Sequence, residues 1–286
     1  MRFGANTFIW RSPFSTGTDL DLLGKLKTMG FDLIEVAVED PGLIDLESLR
    51  NALEETGLGV VTCGAFGPGR NLSSLDEVER GAAKEYLTWM IDAAQFLGSE
   101  VVAGPMYSAV GKARLEDPQE REEEWRLAVE GLKEMCAYAA KRGIKLAFEP
   151  LNRFETDLIN IVDQGLKLIN DVGVPNLGFH LDTFHMHLEE KDSVAAIKDA
   201  GKRVFHFHAC ENDRGIPGTG QVDWEGVFQA LIEIGYQGAV VIESFTPEVK
   251  SIARAVCIWR EIAPDQDSIA RDGLKFIKAF PGIALK

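Results

Sequence analysis

The sequence predicts an α/β protein built as a single (β/α)8 barrel, the TIM-barrel architecture. Three observations carry this. Short β-branched or apolar runs bounded by Gly, Pro or Asp alternate with longer stretches of helical period. The alternation repeats eight times within 286 residues, which favours a closed barrel over an open sheet. Neither a Gly-x-Gly-x-x-Gly turn after the first strand nor a Gly-x-x-x-x-Gly-Lys-Ser/Thr loop supports the competing dinucleotide- or nucleotide-binding sheet.

Taken in order, the strands fall near 2–8, 33–38, 58–64, 101–105, 145–149, 177–182, 204–209 and 239–243. The helices fall near 19–29, 46–56, 76–97, 120–142, 163–171, 193–200, 224–234 and 267–280. Gly30, Gly98, Gly143 and Gly235 stand where helices must stop before the next strand, as left-handed C-caps. Pro and Gly sit in the strand–helix connections and composition does not break, so residues 1–286 read as one barrel domain without a linker.

Composition narrows the partners. With 45% apolar and 26% charged residues the chain is an ordinary globular protein, and no apolar window is long enough to span a bilayer. Thirty Lys and Arg against 45 Asp and Glu give a net charge of −15, a field that repels phosphate backbones and anionic headgroups, so neither nucleic acid nor membrane is an expected partner. Met1–Trp10 lacks the apolar stretch of a signal peptide, which makes the cytoplasm the expected location. Cys63, Cys136, Cys210 and Cys257 form no Cys-x-x-Cys pair, so neither disulfides nor a thiolate zinc site is expected.

A barrel exposes its chemistry at the C-terminal ends of its strands. Four charged or imidazole residues interrupt apolar strands there: Glu149, Asp182, His208 and Glu243, on predicted strands 5 to 8. Taken singly, each carboxylate reads as well as a helix cap or an ion-pair partner. Together they would repel one another on one rim, and a divalent cation resolves that conflict. Oxygen-rich ligation with one nitrogen suits Mn²⁺, Mg²⁺ or Co²⁺. His206 and His180, each two residues before a candidate ligand, read as core histidines, and Glu35 ends strand 2 within possible reach of the pocket. The loops that follow supply Asn152, Arg153 and Glu155, then His185, then Arg214, and an imidazole and a guanidinium there suit the oxygens of a small polyol.

These stretches resemble the ketose 3-epimerases, the group that includes D-tagatose, D-psicose (allulose) and L-ribulose 3-epimerases. The resemblance rests on Glu149-Pro150-Leu151-Asn152-Arg153-Phe154-Glu155-Thr156, on Leu181-Asp182-Thr183-Phe184-His185-Met186, on His206-Phe207-His208 with Glu211 and Arg214, on Pro217-Gly218-Thr219-Gly220 and on Val241-Ile242-Glu243-Ser244-Phe245. It implies a metal on Glu149, Asp182, His208 and Glu243, Mn²⁺ first with Co²⁺ or Mg²⁺ as alternatives. It also implies Glu155, His185 and Arg214 on the O1 to O3 end of a ketose, and a homodimer or homotetramer. Asn6 and Val110 stand where some members carry aromatics, which leaves the far end of the sugar open, and Asn6, Phe8, Trp10, Cys63 and Phe245 are candidate pocket walls.

The chemistry follows. The C3 proton of a ketose is α to the C2 carbonyl, and inversion at C3 needs a base on one face and an acid on the other, roles open to Glu149 and Glu243. Aldose–ketose or hydroxypyruvate isomerases and inosose dehydratases would use a similar rim. A multi-zinc, endonuclease IV-like enzyme is disfavoured by five His and the charge of −15. A sugar-binding barrel without turnover would not need the Glu149 and Glu243 pair.

Overall fold

A computed structural model describes residues 1–114 and 117–281, so the predicted 1–286 span includes seven positions outside the described residues. Eight parallel strands close in sequence order: β1 (Arg2–Asn6), β2 (Leu33–Val38), β3 (Gly59–Gly64), β4 (Val101–Gly104), β5 (Lys145–Phe148), β6 (Leu177–Asp182), β7 (Val204–His208) and β8 (Ala239–Ile242), with β8 pairing back onto β1. The helices are α1 (Asp21–Met29), α2 (Leu46–Thr56), α3 (Glu77–Leu97), α4 (Pro118–Ala140), α5 (Val162–Val172), α6 (Thr183–Glu189), α7 (Ser193–Ala200), α8 (Trp224–Glu233), α9 (Lys250–Ala255) and α10 (Gln266–Lys278). The predicted barrel is thus the observed one.

Local chemistry explains where prediction and structure part. The first strand stops at Asn6 rather than residue 8, because the Asn6 side chain accepts from the Phe8 amide and starts a 3-10 turn over Thr7–Ile9. The extra helix α6 is a seven-residue element too short to show a period, and it starts because Asp182 caps the Phe184 amide at 2.7 Å. The extra helix α9 is six residues long and equally silent in the pattern. β5 and β8 end one residue before Glu149 and Glu243, so those carboxylates sit at the strand exits rather than within the ladders.

Burial follows the two-residue period of a strand. One face, with Ile34, Val36, Phe148, Phe179, Phe207 and Val240, packs outward against Leu23, Leu87, Leu132 and Leu231 of the helices. Each such large side chain contributes roughly 1.5–3 kcal/mol when buried. The other face fills the barrel with Leu33, Val61, Cys63, Val101, Ala103, Ala147, Ala239 and Val241. β3 and β4 approach so closely that a Cβ on Gly104 (φ +121) would lie 2.5 Å from the Gly64 carbonyl oxygen. A third apolar group, Phe8, Ala37 and Phe245 backed by Ile252, Val256 and Ile258, lines the exits of β1, β2 and β8 and the α9 segment.

Candidate active site

Continuing the inward face by two residues converts apolar filling into polar function. Leu33 is followed by Glu35, Val61 by Cys63, Ala147 by Glu149 and Val241 by Glu243, and His180, Asp182, His206 and His208 occupy the same face of β6 and β7. The residues predicted on strands 5 to 8 therefore meet in one place. Glu149, Asp182 and His208 offer ligand atoms all within 4.8 Å of one another. His208 Nδ1 lies 3.6 Å from Asp182 Oδ2 and 3.5 Å from Glu243 Oε2, and this buried nitrogen has no hydrogen-bond partner.

Charge balance at the site rests on Arg214. Its Nη1 donates to Asp182 Oδ2 at 2.8 Å and to Glu243 Oε2 at 2.9 Å. The guanidinium lies over Phe184, 4.0 Å from the ring centre, with Phe245 at 4.9 Å. Its backbone adopts a left-handed φ of 64°, held by the Ser244 hydroxyl donating to the Arg214 carbonyl. Glu155 and His185 are tied to the same exit. Asn152 donates through its backbone amide to His185 Nδ1 at 3.0 Å and through its side chain to Glu155 Oε1 at 2.7 Å, while His185 Nε2 stands 3.7 Å from Glu149 Oε1.

Burial and neighbours set the carboxylates apart. Burial, then the negative charge of Glu243, pushes Glu149 well above the usual carboxylate range. Burial pushes Asp182 the same way, but Arg214 and the nearby His208 imidazole outweigh it and hold Asp182 well below that range. Burial lowers His185.

The sequence pointed to the floor beneath these groups only through Glu35, within possible reach of the pocket, and Asn6, a candidate wall. Glu35, fully buried, places Oε1 2.6 Å from His208 Nε2 and Oε2 2.5 Å from His206 Nε2, and Asn6 donates to Glu35 Oε1 at 2.6 Å. The signal was present, since Glu35 is a charge at the inward parity of an apolar strand. Thiols also stand closer than expected: Cys210 Sγ donates to Asp182 Oδ2 at 3.2 Å, and Cys63 groups with His180 and His208. Burial pushes both thiols well above the usual range.

Of the candidate walls, Phe8 and Phe245 pack at 5.5 Å in the rim cluster, and Cys63 lies inside the barrel. Asn6 belongs to the polar floor, reaching Glu243 Oε1 at 3.4 Å as well as Glu35. Trp10 joins the outer core, its indole N–H donating to Asp267 of α10 at 2.7 Å. Three carboxylates converging on an imidazole nitrogen that lacks a partner suit a hard divalent cation.

Comparison with known proteins agrees with this geometry. The family model described as "Xylose isomerase-like TIM barrel" matches residues 23–280. A probable ketose 3-epimerase of Synechocystis sp. is 38% identical over 97% of this chain and 96% of its own. An L-ribulose 3-epimerase of Mesorhizobium japonicum is 34% identical over 100% of this chain and 94% of its own. Among solved structures, a D-allulose 3-epimerase from Methylomonas sp. in complex with D-allulose superposes with a TM-score of 0.91, at 30% identity over 97% of this chain and 96% of that one.

Proposed function

The chain belongs to the xylose isomerase-like TIM-barrel family and groups there with the ketose 3-epimerases, isomerase-class enzymes, and from that premise we propose that it inverts C3 of a free ketose through a cis-enediolate. The observation that carries this reading is the cluster at the strand exits: Glu149, Asp182 and His208 offer ligand atoms within 4.8 Å of one another, Glu243 stands 3.5 Å from His208, and Arg214 bridges Asp182 and Glu243. In this reading Glu149, Asp182, His208 and Glu243 hold a divalent cation, with Mn²⁺ first and Co²⁺ or Mg²⁺ as alternatives. Such an ion, when bound, would draw negative charge onto the C2 and C3 oxygens and ease loss of the C3 proton.

The protein's own groups do the rest. One glutamate removes the C3 proton from one face of the sugar, and the other returns a proton to the opposite face, their roles reversing with direction. His185 and Arg214 hold the O1 and O2 oxygens against the developing charge, and Glu155 holds a hydroxyl at the same end. The apolar trio of Phe8, Ala37 and Phe245 faces the far end of the sugar. A net charge of −15, with no Gly-rich stretch after strands 7 and 8 beyond Gly218-Thr219-Gly220 to cradle a phosphate, supports a neutral sugar over a sugar phosphate. Assembly as a homodimer or homotetramer and a cytoplasmic site of action complete the proposal, and sedimentation tests the former.

The test is proton NMR of D-fructose, D-tagatose, D-allulose and L-ribulose in D₂O with metal-stripped and then Mn²⁺-loaded protein, the ion removed before spectra are taken. Metal-dependent deuterium at C3 with the C3 epimer is the expected result. Exchange at C1 with an aldose product would replace the reading with an isomerase, and absence of exchange with every sugar would overturn it.

A further inference from the structure

We propose that Glu35 is a positioning residue that orients His208 and raises its strength as a metal ligand. The inference rests on the proposed metal site but adds a residue from the far side of the barrel. Glu35 lies on β2 and His208 on β7, 173 positions apart in sequence, yet their Oε1 and Nε2 approach to 2.6 Å with both side chains essentially without solvent access. The His208 ring is thereby split in function. Nε2 is engaged by a carboxylate, while Nδ1 is left without a partner and faces Asp182 and Glu243 at 3.6 and 3.5 Å.

A neutral imidazole carries one proton. A carboxylate at Nε2 fixes that proton there and leaves the Nδ1 lone pair aimed at the cation position. This is the carboxylate–histidine–metal arrangement by which a second layer of residues sets ring orientation and ligand basicity. Glu35 has close neighbours on both oxygens, with a hydrogen bond only on Oε1. Asn6 donates to Oε1 at 2.6 Å, and His206 Nε2 lies 2.5 Å from Oε2. Asn6 also reaches Glu243 Oε1 at 3.4 Å, so one amide links the Glu35–His208 pair to the carboxylate expected to move protons. Desolvating a carboxylate this deeply is costly unless charge and hydrogen bonds compensate, and here two imidazoles and an amide do so. Burying an acid in the barrel floor only to fill space has no such rationale, since a leucine would serve better.

The experiment titrates Mn²⁺ into metal-stripped wild type, Glu35→Gln and Glu35→Asp, following free Mn²⁺ by electron paramagnetic resonance, with circular dichroism and melting as fold controls. Glu35→Gln is expected to weaken Mn²⁺ binding by about 10–100-fold with the fold retained, and Glu35→Asp to recover part of the loss. A second measurement needs no variant: in Mg²⁺-loaded wild type, ¹⁵N-selective spectra of the His208 ring should show a protonated, hydrogen-bonded Nε2 and an unprotonated Nδ1. Wild-type affinity retained in Glu35→Gln, or an unprotonated Nε2 in the wild type, would overturn the role of Glu35. A wild type that takes up no Mn²⁺ would instead overturn the metal site itself, so the two failures are distinguishable.

Discussion

Glu211 shows how much one carboxylate can organise. It accepts from the amides of Asn212, Gly218, Gln221 and Val222 and from the Trp224 indole, at 2.8 to 3.1 Å, and a Cβ on Gly220 would fall 2.7 Å from it. Burial raises its proton affinity, but these donors outweigh that and hold Glu211 below the usual carboxylate range. A group with a depressed folded pKa stabilises the fold above its unfolded value near 4.3, and that contribution disappears as pH falls through the folded value. Glu211→Gln should therefore cost about 1–3 kcal/mol at pH 7 and flatten the acid limb of stability below about pH 4.5. Urea melts across pH 3–7 check this, and a variant whose acid limb matches wild type would refute it. At the pocket, Glu149→Gln and Glu243→Gln should each lower turnover about 10²–10⁴-fold, read by C3 exchange, while leaving the melting temperature within a few degrees.

At the scale of elements, two loops are fastened together by Lys112. Its ammonium lies 2.8 Å from Glu124 of α4 and 2.7 Å from Asp157. Gly111 donates to the Glu155 carbonyl at 2.7 Å, and Asp157 donates to the Lys112 carbonyl at 3.0 Å. The loop after β4 thus braces the loop after β5, which carries Glu155. Lys112→Met leaves the buried Glu124 carboxylate with only the exposed Arg114 at 4.0 Å, so we expect a loss of about 1–3 kcal/mol and a rise in KM larger than the fall in kcat, measured by steady-state kinetics beside a denaturant melt. None of this was legible in the sequence, because Lys112 and Glu155 belong to connections whose pairing has no period. The strands were legible because alternation and bounding Gly and Pro encode them, and Glu149, Asp182, His208 and Glu243 because each breaks an apolar run. Glu35 breaks its run in the same way, but only closure of the sheet shows that β2 faces β7. The short helix α6 hid because its start depends on Asp182, a residue whose other carboxylate oxygen faces Arg214.

For the whole molecule, the site is a concentration of negative charge whose relief depends on cations. Arg214 supplies one positive charge between Asp182 and Glu243, and a divalent ion would supply two more. A ligand that binds only the folded state stabilises it by mass action, about 2.7 kcal/mol at one hundred times its dissociation constant. For a chain of this size that corresponds to a rise of roughly 5–10 °C in melting temperature. Differential scanning fluorimetry with Mn²⁺ after chelation checks it, and an unchanged melting temperature alongside Mn²⁺-independent exchange would refute the metal site.

Closure of the ring carries a consequence for biosynthesis. Glu35 comes from the second strand to be made, and Glu243 from the exit of the last, with Asn6 of the first touching both across 29 and 237 positions. A ribosome releasing this chain has not delivered all four proposed ligands until β8 has emerged and paired with β1. In that reading the ion completes its shell only in a finished vessel, and metal uptake would report on whether the newborn protein has sealed.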